Sequence, residues 1–314
     1  MSYKVIVDVD LPSEIPEYIG DQCQLYILSH GNISPDIFAQ AEGLLTYGHP
    51  IINGEFMDGM PNLKVISNFG VGVDHIDLKA ARQRGIPVGN TPHILDGATA
   101  DMTFALLMAA ARNIVIGDRF ARGLQFTHYD PRILMGSEVH HATLGIIGMG
   151  NIGKQVARRA SGFDMKVLYH NRNRNVQAEA ELHVIYASLH DLLEQSDYVT
   201  LNVPLTAETR HMIGREHLRK MKPSAFLINL ARGGVVDHNA LLEALQNNWI
   251  AGAALDVTEP EPLPRNHPLL SLDNLVIVPH LGSATRQTRL DMARRTVENL
   301  MAGLEGHPLI NRIG

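Results

Sequence analysis

Apolar residues recur along the chain in short runs, and stretches of helical spacing separate them. Val5–Val7, Leu25–Leu28, Gly43–Tyr47 and Leu63–Asn68 read as strands, and the last leads into Phe69-Gly70-Val71-Gly72-Val73-Asp74. Asp77–Arg84 reads as a helix that Asp77 opens and Gly85 stops, and Ile86–Val88 as a short strand. Strand and helix in alternation predict a parallel sheet. A long helix follows from Gly97 to Arg112, rich in small residues that suit close packing. From Asn113 to His141 no period is evident. A stretch of that kind reads as an arm, lid or interface, here with Phe120, Phe126 and Tyr129 on it.

Alternation then resumes. Leu144–Ile147, Lys166–Tyr169, Tyr198–Pro204, Ala225–Leu230, Ala251–Val257 and Asn274–Val278 read as strands. Lys154–Ala160, Leu189–Gln195, Arg215–Met221 and Ala240–Asn247 read as helices, the last capped by Asp237. Asn62–Ile66 leading to Phe69-Gly70 is echoed by Asn274–Val278 leading to Leu281-Gly282. The echo predicts two similar α/β units facing one cleft, with the final helix, Gln287–Gly303, crossing back to the first. The expected division is 1–95 with 284–314 as one discontinuous domain and 96–283 as the other.

Composition narrows the class. A chain of 314 residues suits two cores better than one. A net charge of −6 gives no electrostatic reason for a nucleic-acid or anionic-membrane partner. No apolar run reaches the length of a membrane span, and the N-terminus lacks a signal-type pattern. Cys23 is the single cysteine, which rules out an internal disulfide and fits a reducing cytoplasm. Adjacent histidines do not share a helix face, so His140 and His141 read as surface residues, and no metal site is expected.

The first chemical signal is Gly148-x-Gly150-x-x-Gly153 between the strand at Leu144 and a helix. Gly148 permits a tight turn, Gly150 lets a pyrophosphate approach backbone, and Gly153 lets helix and strand pack closely. The helix N-terminus offers N–H groups and a positive dipole end to phosphate. After the next strand an NAD site would place an acid on the ribose 2′-hydroxyl. This chain has His170-Asn171-Arg172-Asn173-Arg174 instead. With no acid to repel a 2′-phosphate and Arg172 to pair with it, NADPH is favoured, with NADH still possible. In the alternative, Arg172 and Arg174 are solvated loop charges.

Three further residues stand at strand ends, where open α/β sheets bind ligands: Arg232, Glu261 and His280. A guanidinium there could hold a carboxylate and its neighbouring keto oxygen. His280 could protonate a carbonyl oxygen as hydride arrives at carbon, while Glu261 orients the imidazole and favours its protonated form. Singly, each has a structural reading as well: a cap partner, a solvated charge, a core histidine. Gly70-Val71-Gly72 lacks a third glycine. Its spacing makes it a plain turn, although such a turn could present N–H groups to a small carboxylate.

Over essentially its whole length the chain resembles the D-2-hydroxyacid dehydrogenases. The segments that carry the resemblance are VISNFGVGVDHID, LGIIGMGNIG, NLARGGVVD, AALDVTEPEPLP and VIVPHLGSATRQTR. Within that family it is most similar to the glyoxylate/hydroxypyruvate reductases. The resemblance implies an α/β fold of two Rossmann-like domains with parallel sheets, a flavodoxin-like substrate domain and an NAD(P)-binding Rossmann domain. It implies Arg232, Glu261 (not Glu259) and His280 as the catalytic set, and Val71 and Gly72 as the backbone pair for the substrate carboxylate. It also implies Tyr47 and Gly48 as a pocket loop. For the cofactor it implies Asn151, Ile152, Asn171, Arg172, Val203, Pro204, Thr209, Leu230, Ala231, Arg232, Asp256, His280 and Gly282, with Thr103 a further candidate. Small 2-keto acids as substrates and a homodimer formed through residues 113–141 complete the expectation. A 2-ketoaldonate reductase, such as one acting on 2-ketogluconate, remains an alternative. So does a nucleotide-sensing, corepressor-like binding protein, though no tail beyond Gly314 is evident for one. A serine-pathway phosphoglycerate dehydrogenase is a further alternative.

Overall fold

A computed structural model describes residues 2–31 and 33–314. The chain divides into two compact units: the chain up to Leu95 together with Thr285–Gly314, and Asp96–Ala284.

In the first unit the strands are β1 (Tyr3–Val7), β2 (Cys23–Ile27), β3 (Gly43–Thr46), β4 (Val65–Asn68) and β5 (Val88–Gly89). Helices Glu14–Ile19, Pro35–Gln40, Gly54–Asp58 and Leu78–Gln83 make the crossovers that parallel neighbours require. Three of these helices begin at a residue built to cap them. Ser34, Asn53 and Asp77 accept the N–H groups of Ile37, Phe56 and Ala80.

In the second unit the strands are β6 (Thr143–Ile147), β7 (Lys166–His170), β8 (Ile185–Tyr186), β9 (Tyr198–Leu201), β10 (Phe226–Asn229), β11 (Gly252–Leu255) and β12 (Leu275–Ile277). The sheet runs in the order β12-β11-β10-β9-β6-β7-β8, with every pairing parallel. Chain order reverses direction between β6 and β9, so the turn after β6 opens at the topological switch point, where such sheets bind ligands. β6 and β9–β11 are almost wholly buried apolar runs, as strands covered on both faces should be. The Asp96–Ala111 helix packs on helix Asn151–Ser161 and over β10 and β11.

The last strand, β13 (Arg312–Ile313), returns to the first unit and pairs antiparallel with β5. That sheet is ordered β13-β5-β4-β3-β1-β2. Without its antiparallel edge it has the flavodoxin-like order, with a switch point between β1 and β3. The Arg286–Leu304 helix lies across β3, β4 and β5. A Cβ added to Gly303 would come within 2.4 Å of Val65 Cβ, so the helix closes on the sheet only through glycine.

The segment 113–141 differs from expectation: Ile114–Arg122 is helical. None of its residues is buried, although its apolar side chains gather on one face. Cys23 lies half-buried with its Sγ 3.7 Å from Met301 Sδ, and burial, followed by the charge of Glu42, pushes its thiol up to about 11. Such a thiol is inert near neutral pH. Trp249 lies under the guanidinium of Arg219 at 4.0 Å and near that of Arg215 at 5.5 Å. Among the described residues no single helix is long and apolar enough to cross a membrane.

Candidate active site

In the Asp96–Ala284 unit the glycine turn has the geometry its spacing implies. Gly148 adopts φ +103°, and a Cβ there would press to 2.5 Å from the Asn202 carbonyl oxygen. A Cβ on Gly153 would meet the Gly148 carbonyl oxygen at 2.1 Å, whereas one on Gly150 would meet nothing within 4 Å. Backbone is therefore packed on the sheet side and open at Gly150, where helix Asn151–Ser161 begins without a side-chain cap. An uncapped N-terminus beside open backbone is a fit for a pyrophosphate. Asn171 reaches back from the end of β7, and its Oδ1 accepts the Met149 N–H at 2.7 Å. This expected cofactor residue thus also holds the turn in shape.

The two basic residues after β7 part company. Arg174 forms two hydrogen bonds to the Glu179 carboxylate, at 2.7 and 2.6 Å, and the same carboxylate accepts the Tyr169 hydroxyl. Arg172 is exposed. Its charge is felt by Glu208, whose carboxyl is lowered first by the Thr206 hydroxyl, then by its own backbone and by Arg172. Between Pro204 and Thr209 the loop after β9 closes on itself. The Thr209 hydroxyl donates to the Pro204 carbonyl at 2.6 Å and accepts the Thr206 N–H at 2.8 Å. Thr103 is buried, and its hydroxyl donates to the Thr99 carbonyl at 2.9 Å within its own helix.

Arg232, Glu261 and His280 come together at the C-terminal ends of β10, β11 and β12. After β10, Asn229 accepts the Ala231 N–H and donates to the Arg232 carbonyl, closing a tight loop through Leu230 and Ala231. Gly233 then passes so near the next loop that a Cβ would sit 2.0 Å from the Thr258 carbonyl carbon. Any side chain at 233 would drive Arg232 away from the Thr258–Glu261 loop. After β12, His280 takes a left-handed backbone, φ +55°, with its N–H donating to the Asp256 carbonyl at 2.9 Å. Its Nδ1 lies 2.7 Å from Glu261 Oε1. Burial works to raise the Glu261 carboxyl, but the hydrogen bond and charge of His280, the Thr258 N–H and the charge of Arg232 together hold it below its usual range. Glu259 is committed elsewhere, to Arg210 at 2.5 Å and His211 at 2.8 Å.

Asp256 anchors this edge. It is 2% exposed, and its two oxygens accept the N–H groups of Leu281 at 2.5 Å and Gly282 at 2.8 Å. Burial pushes its carboxyl up while those two N–H groups pull it back. The backbone just past His280 is thereby gripped from below.

In the other unit, Tyr47 and Gly48 follow β3, and Val71 and Gly72 lie beyond β4. The Tyr47 and Phe69 rings pack at 4.6 Å. Asn68 donates through Nδ2 to the carbonyls of Gly70 and Gly72, and Asn90 donates to that of Val71. The three carbonyls of the turn are so occupied, while its Val71 and Gly72 N–H groups have no backbone partner among the described residues. Residue reading had missed Asp8, Asn68 and Asn90. Asp8 is 4% exposed and accepts the N–H groups of Tyr47 at 2.8 Å and Gly48 at 2.6 Å across the switch point. An acid ending the apolar run Val5–Val7 was the available signal.

Residues 104–282 match the model of the D-isomer specific 2-hydroxyacid dehydrogenase, NAD binding domain. The chain belongs to the D-2-hydroxyacid dehydrogenase family. The glyoxylate reductase of Korarchaeum cryptofilum is 51% identical over 256 residues, covering 81% of this chain and 77% of that protein. A solved structure from Thermus thermophilus superposes with a TM-score of 0.91 at 43% identity, covering 99% of this chain and 100% of the other. The NADPH-dependent glyoxylate/hydroxypyruvate reductase of Sinorhizobium meliloti, solved with NADP and malonate, gives 0.91 at 30% identity, with coverage of 100% and 97%. This dehydrogenase is an NAD(P)-dependent enzyme, and the glycine turn lies inside the matched NAD-binding domain.

The lowered Glu261 pKa has a stability consequence with a definite sign. A carboxyl depressed below its ordinary 4.5 contributes stability above that value and loses it as pH falls through the folded value. Thermal melts of the wild type and Glu261→Gln from about pH 7 downward should therefore differ most near neutrality. The gap should close in the acid range below the ordinary carboxyl value. A gap that widens toward acid would contradict the assignment.

Proposed function

We propose that the dehydrogenase is an NADPH-dependent reductase of small 2-keto acids, glyoxylate and hydroxypyruvate, and forms D-2-hydroxy acids from them. The observation that carries this reading is the Arg232–Glu261–His280 set at one sheet edge beside a dinucleotide turn. The names of its relatives in Korarchaeum cryptofilum and Sinorhizobium meliloti support the substrates.

The pyrophosphate is assigned to Gly148, Gly150, Asn151, Ile152 and Gly153, and the adenosine end to Asn171 and Arg172. Val203, Pro204, Thr209, Leu230, Ala231, Asp256 and Gly282 border the rest of the nucleotide, with Thr103 beneath. When bound, the reduced nicotinamide supplies the hydride that reaches the keto carbon. Arg232 holds the substrate carboxylate and keto oxygen in its fork. The Val71 and Gly72 N–H groups are donors for a substrate carboxylate, and Tyr47 and Gly48 form the pocket loop of the same unit. The unit containing them is accordingly the substrate domain. Because Nδ1 of His280 donates to Glu261, proton traffic toward substrate runs through Nε2. As the carbon accepts hydride, His280 gives its proton to the oxygen and Glu261 stabilises the imidazolium before and orients the ring after. Hydride thus forms the new C–H bond, the carbonyl π electrons move onto oxygen and take the His280 proton, and the product leaves as a neutral alcohol at that carbon.

Arg172 supports NADPH over NADH, since Arg174 is held by Glu179 and cannot serve. A homodimer is supported by exposed apolar side chains along the segment after the Ile114–Arg122 helix: Leu124 is 96% exposed, Tyr129 81% and Met135 77%.

Each of these assignments has its own measurement. His280→Ala should lower kcat by about 10²–10⁴-fold while NADPH still binds with wild-type affinity by fluorescence titration; unchanged turnover would sink the role. Arg172→Ala should raise KM for NADPH roughly tenfold or more, the loss expected for a charge-assisted pair, and leave KM for NADH unmoved. Light scattering should give twice the chain mass, and Leu124→Asp with Met135→Asp should give the monomer; a monomeric wild type would remove the dimer.

A further inference from the structure

We infer that His49 is a substrate-binding residue: its imidazole is a further side-chain donor to the carboxylate seated on the Val71–Gly72 turn, and it sets affinity for 2-keto acids. The inference rests on the function proposed above and concerns a side chain that no motif singled out.

The position of His49 follows from its neighbours. The Asp8 carboxylate grips the two preceding N–H groups, those of Tyr47 and Gly48. The chain leaves that grip with His49 at φ +59°, a left-handed conformation uncommon for residues other than glycine, although Asn, Asp and His adopt it more readily than most. The side chain is exposed, yet it is braced. Its ring stands edge-on to that of His75, with centroids 4.8 Å apart and planes at 83°. His75 Nε2 lies 3.4 Å from Thr46 Oγ1, whose own proton goes to Asn68 Oδ1 at 2.7 Å. In that contact His75 is the donor. Asn68 in turn holds the Gly70 and Gly72 carbonyls at 3.0 Å each. The network that orients the carboxylate turn therefore also backs the His49 ring.

His49 Nε2 reaches the start of that turn. A Cβ built on Gly70 would lie 3.8 Å from it. On this assignment a carboxylate that accepts the Val71 and Gly72 N–H groups lies one residue further along, on the His49 side of the turn. A carboxylate has about four lone-pair sites, so backbone donors and Arg232 still leave capacity that a side-chain donor at the turn's entrance uses.

The test compares wild type, His49→Ala and His49→Gln. It uses steady-state kinetics on glyoxylate and hydroxypyruvate with NADPH, and calorimetric binding of malonate to the NADP-saturated enzyme. The expected result for His49→Ala is a KM for both acids raised roughly tenfold or more, as for loss of one hydrogen bond to a charged group. The kcat should fall no more than about threefold, KM for NADPH should hold, and malonate affinity should drop in parallel with keto-acid affinity. His49→Gln, which keeps an N–H donor, should recover most of the loss. Unchanged KM and unchanged malonate affinity in His49→Ala would overturn the inference while leaving the reductase reading intact. Malonate binding that needs His49 in an enzyme inactive on both acids would keep His49 as a carboxylate contact and overturn the reductase. A wild type that neither turns over the acids nor binds malonate would overturn both.

Discussion

Each unit of this dehydrogenase depends on one buried carboxylate at a strand end. In the Asp96–Ala284 unit, Asp256 accepts the N–H groups of Leu281 and Gly282. In the other, Asp8 accepts those of Tyr47 and Gly48. A carboxylate shut away from water must be given donors, because leaving it unpaired would cost several kcal/mol. Backbone N–H groups from the neighbouring loop are the donors at hand. That requirement converts a loop, which would otherwise be free to move, into a fixed edge of the sheet. In both units the residue beside the grip, His280 or His49, takes a left-handed backbone. Strain of this kind persists only where its surroundings over-determine it.

The same logic explains why the functional side chains cluster at one end of each sheet. Parallel strands all deliver their C-terminal ends to one edge, and short loops there meet one another. Close approach then depends on individual glycines. Gly233 lets the loop after β10 touch the loop after β11, bringing Arg232 near enough for Glu261 to feel its charge. Gly153 lets its helix sit on the Gly148 carbonyl and so keeps the first turn of that helix at the switch point.

Amide side chains perform quieter work. Asn68 and Asn90 occupy the carbonyls of the Gly70–Gly72 turn, and the Asn299 amide donates to the Asn90 carbonyl at 3.0 Å from the last long helix. Asn171 accepts the Met149 N–H in the glycine turn, and Asn229 accepts one peptide N–H and donates to a carbonyl in the Arg232 loop. An amide can accept and donate at once, so one side chain fixes two peptide groups in opposite orientations.

What the sequence determined by itself is local. Apolar runs of strand length, caps such as Asp77 and Asp237, and the spacing of Gly148, Gly150 and Gly153 depend on neighbours a few residues away. Period, turn chemistry and cap chemistry express them directly. The family motifs added Arg232, Glu261 and His280 as a set, a step that residue spacing alone did not make. Only the tertiary structure decided which charges are committed and which loops are gripped. Glu179 lies only five residues from Arg174, yet the sequence does not say whether it pairs with Arg172 or Arg174, and nothing near Asp8 announces that its donors lie about forty residues on. The Ile114–Arg122 helix escaped notice although its apolar residues share one face, because a helix of 9 residues interrupted by Gly117 offers too few turns for that face to stand out. Hydrogen bonds and close approaches between distant strand ends are made by the order in which the sheet is assembled, and that order is a property of the folded chain.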